Sequence, residues 1–378
     1  MLPAGFTGET SLADVLTSCL SAVTGTPSTI DIPAVSRVVV VVADGLGSHA
    51  LRARAGHARF LSSRLTKAST ITSGSPTTTA AAITTLCTGR MPGEHGIVGY
   101  RALDPRTRRV FNHLSGWNGD PDPMTWQRRE TVFERATAHD VRASVIAPAR
   151  YASSSFTAAS LRGAEYVGAD SMEGRVARVR ELFDRGGRQI AYLYVPELDM
   201  TAHAKGWESD AWLVALEQLD SLMSALARSL HRGEGALITA DHGILDVPRS
   251  SHVVFDAVPE LTEGVELVGG EPRLVQLYLH PSATEDDRRG LAASWQREEG
   301  HRAWIATREE AVAAGWFGPT VDSDVADRIG DVLVAARGRV AYYDSSPEGV
   351  RGRTMIGQHG SFTPEESKVP LLRLGAFE

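Results

Sequence analysis

The run "RVVVVVAD" at residues 37–44 constrains the fold more than any other stretch of this chain. Five consecutive valines offer no alternation of apolar and polar positions, so neither face of the segment is suited to water. A β-branched run of this length fits a strand covered on both sides, as in a sheet sandwiched by helices. Similar short runs recur at "RASVIAP" (142–148), "QIAYLYVPELD" (189–199), "GALITADHG" (235–243) and "RLVQLYL" (273–279). Helical patterns lie between them. The clearest runs from Asp210 to Leu230, where Trp212, Leu216, Leu219, Met223, Leu226 and Leu230 form one apolar stripe.

Strands alternating with helices predict an α/β fold built on a doubly wound, mostly parallel sheet flanked by helices. Residues 1–280 are expected to form this core, and residues 339–378 to return to it. Between them, residues 281–338 ("REEAVAAGWF", "SDVADRIGDVLVAA") are polar and helical in pattern, which reads as a smaller helical insertion or cap.

The 378 residues are 42% hydrophobic, enough to bury a sizeable core, and the formal net charge of -7 argues against binding to nucleic acid polymers. Cys19 and Cys87 have neither metal-ligand spacing nor the pattern of a disulfide framework, which fits a reducing compartment. The start "MLPAGFTGET" lacks the features of a signal peptide, and no apolar run approaches the roughly 20 residues of a membrane span. A cytoplasmic protein without membrane association is expected, its oligomeric state left open.

Acidic residues close three of the apolar runs: Asp44, Asp199, and Asp241 with His242 beside it. The carboxyl ends of parallel strands share one edge, so these groups are expected to meet in one crevice. Asp199 and His203 are four residues apart, close enough to bind one metal; Asp241 and His242 offer an oxygen and a nitrogen to another. "GQHGSF" adds His359, with His252, ten residues after His242, as its rival. Carboxylates and imidazoles without thiolate suit Zn²⁺ and tolerate Mn²⁺ or Fe. The row of threonines in "SPTTTAAAITTL" is a poor helix interior but a good helix start. One of its hydroxyls, activated by paired metal ions at a helix N-terminus, would serve as a nucleophile toward phosphorus.

The stretches "VVVADGLG", "SPTTTAAAITTLCTGRMPGEHGIVGY", "YVPELDMTAHAKG", "ITADHG" and "HGSFTPEESKVPLL", in this order, resemble the metal-binding motifs of the alkaline phosphatase superfamily. Within it they are most similar to the type I phosphodiesterase/nucleotide pyrophosphatase group, from about residue 37 to the C-terminus, leaving the insertion uncovered. The resemblance implies one metal held by Asp44, Thr79, Asp241 and His242 and a second by Asp199, His203 and His359. It makes Thr79 the nucleophile, with Thr78 as the rival. Where related nucleotide pyrophosphatases carry an asparagine for a phosphate oxygen, this chain has Tyr100, followed by Arg101. Tyr100, Arg101 and Lys205 flank the expected centre as substrate contacts.

The sulfatase pattern is absent around Cys87, and "AAAITT" after Thr79 lacks the arginine of bacterial alkaline phosphatases, leaving room for a second ester group. The expected function is two-metal hydrolysis of a small phosphodiester or pyrophosphate through a phosphothreonine. Alternatives are a phosphomonoesterase or phosphomutase on the same ions, or a silent metal-binding scaffold. His95 reads as a turn residue, and His49, His57, His113, His139, His231, His280 and His301 as solvated surface.

Overall fold

The computed structural model describes residues 1–5 and 8–378, so two residues of the N-terminal stretch read for a leader lie outside it. Four of the apolar runs form parallel strands of one sheet: β1 (Arg37–Ala43), β2 (Arg142–Ala147), β4 (Gln189–Val195) and β5 (Glu234–Thr239), with β3 (Glu165–Gly168) added at one edge. β1 is central. Its valines are fully buried, and it pairs in parallel with β4 on one side and β5 on the other. Val42 is level with Thr239 and Ala43 with Val195, so the chain leaves all three strands at the same edge. That register carries Asp44, Asp199 and Asp241 into one crevice.

Helices cover this sheet. The helix α1 (Leu12–Thr24) buries Val15, Leu16 and Cys19. All ten residues of α2 (Thr79–Thr88) are buried, and Gly89 at φ 67° ends it in the left-handed conformation that glycine adopts freely. The short α3 (Glu197–Lys205) follows β4 directly. The predicted stripe forms α4 (Asp210–Ser229), burying Trp212, Leu216, Leu219, Met223 and Leu226. Cys19 and Cys87 are both buried free thiols. Among the described residues, no helix is long and apolar enough to cross a membrane.

The region expected to be a helical insertion is different. Leu274–Leu279, assigned from sequence to the main sheet, is instead the strand β7 of a separate antiparallel sheet. It pairs with β6 (Val265–Glu271) and β9 (Val332–Ala336), and β9 pairs in turn with β8 (Ala303–Thr307). The helix α5 (Glu285–Glu299) packs there through Leu291 and Trp295. The unit therefore begins before residue 281, and residues 281–338 supply two of its four strands. "AWIAT" and "VLVAA" mislead because they are five-residue, alanine-containing runs covered on both faces, and so short an apolar run carries no period to separate strand from helix. The chain then returns to the main sheet, where β10 (Leu372–Gly375) pairs antiparallel with β5.

Candidate active site

Two groups of side chains meet at the carboxyl edge of the main sheet. Asp44, Asp241 and His242 form one, and Asp199, His203 and His359 the other; in each, the candidate ligand atoms lie within 4.8 Å of one another. In the first, His242 Nε2 is 3.4 Å from Asp44 Oδ1 and 3.3 Å from Asp241 Oδ2. In the second, His203 Nε2 is 3.2 Å from Asp199 Oδ2 and 3.3 Å from His359 Nε2. Asp199 and His203 occupy one face of α3 at the i, i+4 spacing that brings side chains together on a helix. Gly45, at φ 74°, makes the tight exit from β1; a methyl group there would lie 3.1 Å from the Asp199 carboxylate.

The three imidazoles are oriented alike. Nδ1 of His203 lies 2.8 Å from the carbonyl of Gly357, that of His359 2.8 Å from Thr77, and that of His242 3.1 Å from Gly243. With Nδ1–H donating to a carbonyl, each Nε2 presents a lone pair to the site, the tautomer a metal requires. Tyr194 donates its hydroxyl to Asp44 Oδ2, while the backbone N–H groups of Gly45 and His242 donate to Asp241 Oδ1. That leaves Asp44 Oδ1, Asp241 Oδ2 and Asp199 Oδ1 buried without a hydrogen-bond partner. Buried oxygens of this kind are costly unless something positive meets them, so the donor set fits a pair of divalent cations.

The charges reinforce that reading. Burial, and then the charges of Asp241 and Asp199, push the Asp44 carboxyl well above its usual range. Burial works the same way on Asp199, but His203, His359 and His242 outweigh it and hold this carboxyl low. His359 is driven well below the ordinary histidine range by burial and by His242. Carboxylates are crowded at one group and imidazoles at the other, an arrangement that cations relieve.

Thr79 joins the two groups to α2. It is the first residue of that helix, and its Oγ1 is 3.1 Å from His242 Nε2. Thr78 precedes it as the cap but makes no side-chain capping bond, and Thr77 donates its hydroxyl to the carbonyl of Ser361. A cavity of about 1010 Å³ opens over Thr79 and is also lined by Tyr100, Arg101, Tyr343 and Glu271.

Residues 38–362 match the type I phosphodiesterase/nucleotide pyrophosphatase family. The chain belongs to that family. The family is a branch of the alkaline phosphatase superfamily whose members are phosphoric ester hydrolases, typically with two metal ions. An uncharacterized pyrophosphatase/phosphodiesterase of Schizosaccharomyces pombe is 24% identical over 266 residues, 63% of this chain and 53% of that protein; the match thus spans about half of the relative. Murine ectonucleotide pyrophosphatase/phosphodiesterase 5 superposes with a TM-score of 0.69 at 17% identity, covering 89% of this chain and 88% of that one. Its inactive variant in complex with AMP gives 0.68 at 16% identity, covering 90% and 88%. These structures share the alkaline-phosphatase-like α/β fold.

Within that frame the structure brings together Asp44, Thr79, Asp199, His203, Asp241, His242 and His359, and it sets Tyr100 and Arg101 in the cavity wall. Lys205 does not join them: it stands exposed at the end of α3, outside the residues lining the cavity, because its position points away from the Asp199–His203 face. His252 belongs to neither group and packs its ring against Tyr343. His113, read as surface, is fully buried against Phe111, Trp117 and Trp126, with Nδ1 2.7 Å from the carbonyl of Gly99. His95, expected in a turn, instead closes a short helical segment, Pro92–His95, and is fully buried with Nε2 3.0 Å from Thr85 Oγ1. Sequence reasoning missed Tyr194 and Glu271. A tyrosine inside a core strand and a glutamate in a "GGEPR" turn carry no signal until the tertiary pairing is known.

Proposed function

We propose that this chain hydrolyses small phosphodiesters or pyrophosphates, nucleotides among them, through a phosphothreonine at Thr79. The observation that carries this is the Thr79 hydroxyl at the start of α2, 3.1 Å from His242 Nε2 and beside two carboxylate–imidazole groups. Two divalent ions, Zn²⁺ by donor chemistry with Mn²⁺ or Fe as alternatives, held by Asp44, Asp241, His242 and Thr79 and by Asp199, His203 and His359, would lower the pKa of that hydroxyl and neutralise phosphoryl charge.

Thr79 Oγ1 attacks phosphorus, and the bond to the leaving alcohol or phosphate breaks with its electron pair moving to the leaving oxygen. Water then attacks the phosphothreonine, freeing the threonine hydroxyl and a phosphate monoester. Thr79 opens α2, whose first N–H groups have no partner within the helix, and the positive end of the helix favours the anionic oxygens of the attacked group. The AMP bound to an inactive variant of the murine relative supports a nucleotide substrate.

The test is hydrolysis of bis(p-nitrophenyl) phosphate beside p-nitrophenyl phosphate by protein stripped with chelator and refilled with Zn²⁺ or Mn²⁺. Metal-restored activity favouring the diester is expected, with Thr79→Ala inactive yet binding metal. Full activity in Thr79→Ala overturns the nucleophile, and preference for the monoester overturns the substrate class.

A further inference from the structure

Glu271 ends β6, in the separate antiparallel sheet rather than in the main one, yet it lines the cavity together with Thr78 and Thr79. It is 6% exposed. It packs against Gly360, the residue after His359: a methyl group on Gly360 would lie 2.5 Å from Glu271 Cγ and 2.9 Å from Oε1. Gly360 has a φ of 138°, so glycine here both permits the backbone conformation and admits the glutamate.

The hydrogen bonds of this carboxyl do not balance. Oε2 accepts the backbone N–H of Tyr100 at 3.0 Å, whereas Oε1 is buried with no partner. Glu366, a buried glutamate nearby, is met by Nε and Nη2 of Arg273, by Ser361 N–H and by the Thr363 hydroxyl. Glu271 has no ion pair among the described residues. Burial, followed by the charge of Glu366, pushes its carboxyl up to about 8, against the pull of Tyr100 N–H, Arg101 and Thr78. Since Oε2 is the accepting oxygen, the proton of the neutral acid belongs on Oε1. That leaves a donor with no hydrogen bond made, near the Thr78 hydroxyl in the nucleophile's own turn.

We propose that Glu271 is a further catalytic residue, donating a hydrogen bond from Oε1 as a neutral carboxylic acid to a non-bridging oxygen of the phosphoryl group attacked by Thr79. The proposal rests on the reading under Proposed function. An ionised carboxylate at this position would repel a phosphodiester anion. The neutral acid instead supplies a preorganised donor where charge gathers in the transition state.

Glu271→Gln and Glu271→Met separate the possibilities. Glutamine keeps a donor without a charge; methionine keeps the volume without a donor. Two readouts are taken on the metal-loaded protein: kcat on bis(p-nitrophenyl) phosphate, and calorimetric affinity for inorganic phosphate with each change placed in a Thr79→Ala background. Metal content and thermal midpoint confirm that the variants are folded and loaded.

Glu271→Gln is expected to stay within about threefold of wild type, and Glu271→Met to lose about 10²–10³ in kcat, the loss typical of removing one such donor. Phosphate affinity is expected to fall with methionine and hold with glutamine. Equal damage from both variants overturns the proposal, because it would mean that the ionised carboxylate is required; so does a fully active Glu271→Met. A wild type inactive on every ester would defeat the phosphodiesterase reading instead, and the phosphate affinities would still decide the role of Glu271.

Discussion

The imidazole rings of His242 and His359 lie parallel, their centroids 3.6 Å apart and their planes 14° from each other. One belongs to each candidate ligand group, so this stack joins the two groups. His242 comes from the loop after β5, and His359 from a segment that the chain reaches more than a hundred residues later. Removing either ring opens its own group and frees the neighbouring ring to turn. His359→Ala is therefore expected to bind about one ion where the wild type binds two, as metal analysis of the dialysed protein would read. Its activity should fall more than the roughly 10–100-fold that changes outside the ligand set produce. Two tightly held ions in that variant would contradict the ligand assignment.

Tyr194 tests the support of the first group. Its hydroxyl holds Asp44 Oδ2 and leaves Oδ1 turned to the site, and its ring stacks at 6.3 Å on Tyr192, so its orientation is fixed by the strand. Tyr194→Phe keeps the ring and removes the hydrogen bond alone. The expected result is a loss of about 10–100-fold in metal affinity, measured by competition with a chromogenic chelator, with little change in thermal midpoint for the apoprotein. Unchanged affinity would mean that the backbone alone positions Asp44.

How far this site could be read in the sequence follows from how each residue is placed. Asp44, Asp199 and Asp241 were legible because parallel strands in register deliver their carboxyl ends to one edge, and the runs "VVVVVA", "YLYV" and "ALIT" announce those strands. Asp199 and His203 were legible through helical spacing. Lys205 failed by the same spacing, two residues further round the helix than the face that carries Asp199 and His203. Glu271 was hidden because its place depends on the antiparallel pairing of β6 with β7, in a region whose short runs showed no period. His113 was hidden because its neighbours in sequence are polar while its neighbours in space are Phe111, Trp117 and Trp126.

Acid should act on the opposite edge of the sheet through Glu234. Its buried carboxylate accepts from Arg37 at 2.7 Å and from Arg180 at 2.7 and 3.0 Å. Burial alone would raise this carboxyl, but Arg180, the His231 N–H and Arg37 outweigh it and lower it to about 2 from an ordinary 4.5. A carboxylate depressed on folding contributes stability that is present above the unfolded value and is lost as pH falls toward the folded one. Thermal midpoints should therefore drop between pH 4.5 and 2 by more in the wild type than in Glu234→Gln, which has no charge to lose. Parallel curves for the two proteins would refute the assignment.

Arg273 and Glu366 bind the antiparallel sheet to the segment that follows His359. The pair is bidentate, at 2.8 and 2.7 Å, and both side chains are wholly enclosed. Arg273 also donates to the carbonyls of Gly338 and Val340, while Glu366 takes the Ser361 N–H and the Thr363 hydroxyl. Every charge-bearing oxygen is thus satisfied, and truncating one partner strands the other in the interior. Arg273→Met is expected to cost about 3–5 kcal/mol in urea unfolding, the range for leaving a buried charge unpaired. Adding Glu366→Leu to it should recover part of that loss, since an apolar pair has no charge to desolvate. A single variant costing under about 1 kcal/mol, or a double variant worse than the sum of the two singles, would show that the enclosure tolerates the lone charge and that the ion pair is not what fixes this segment.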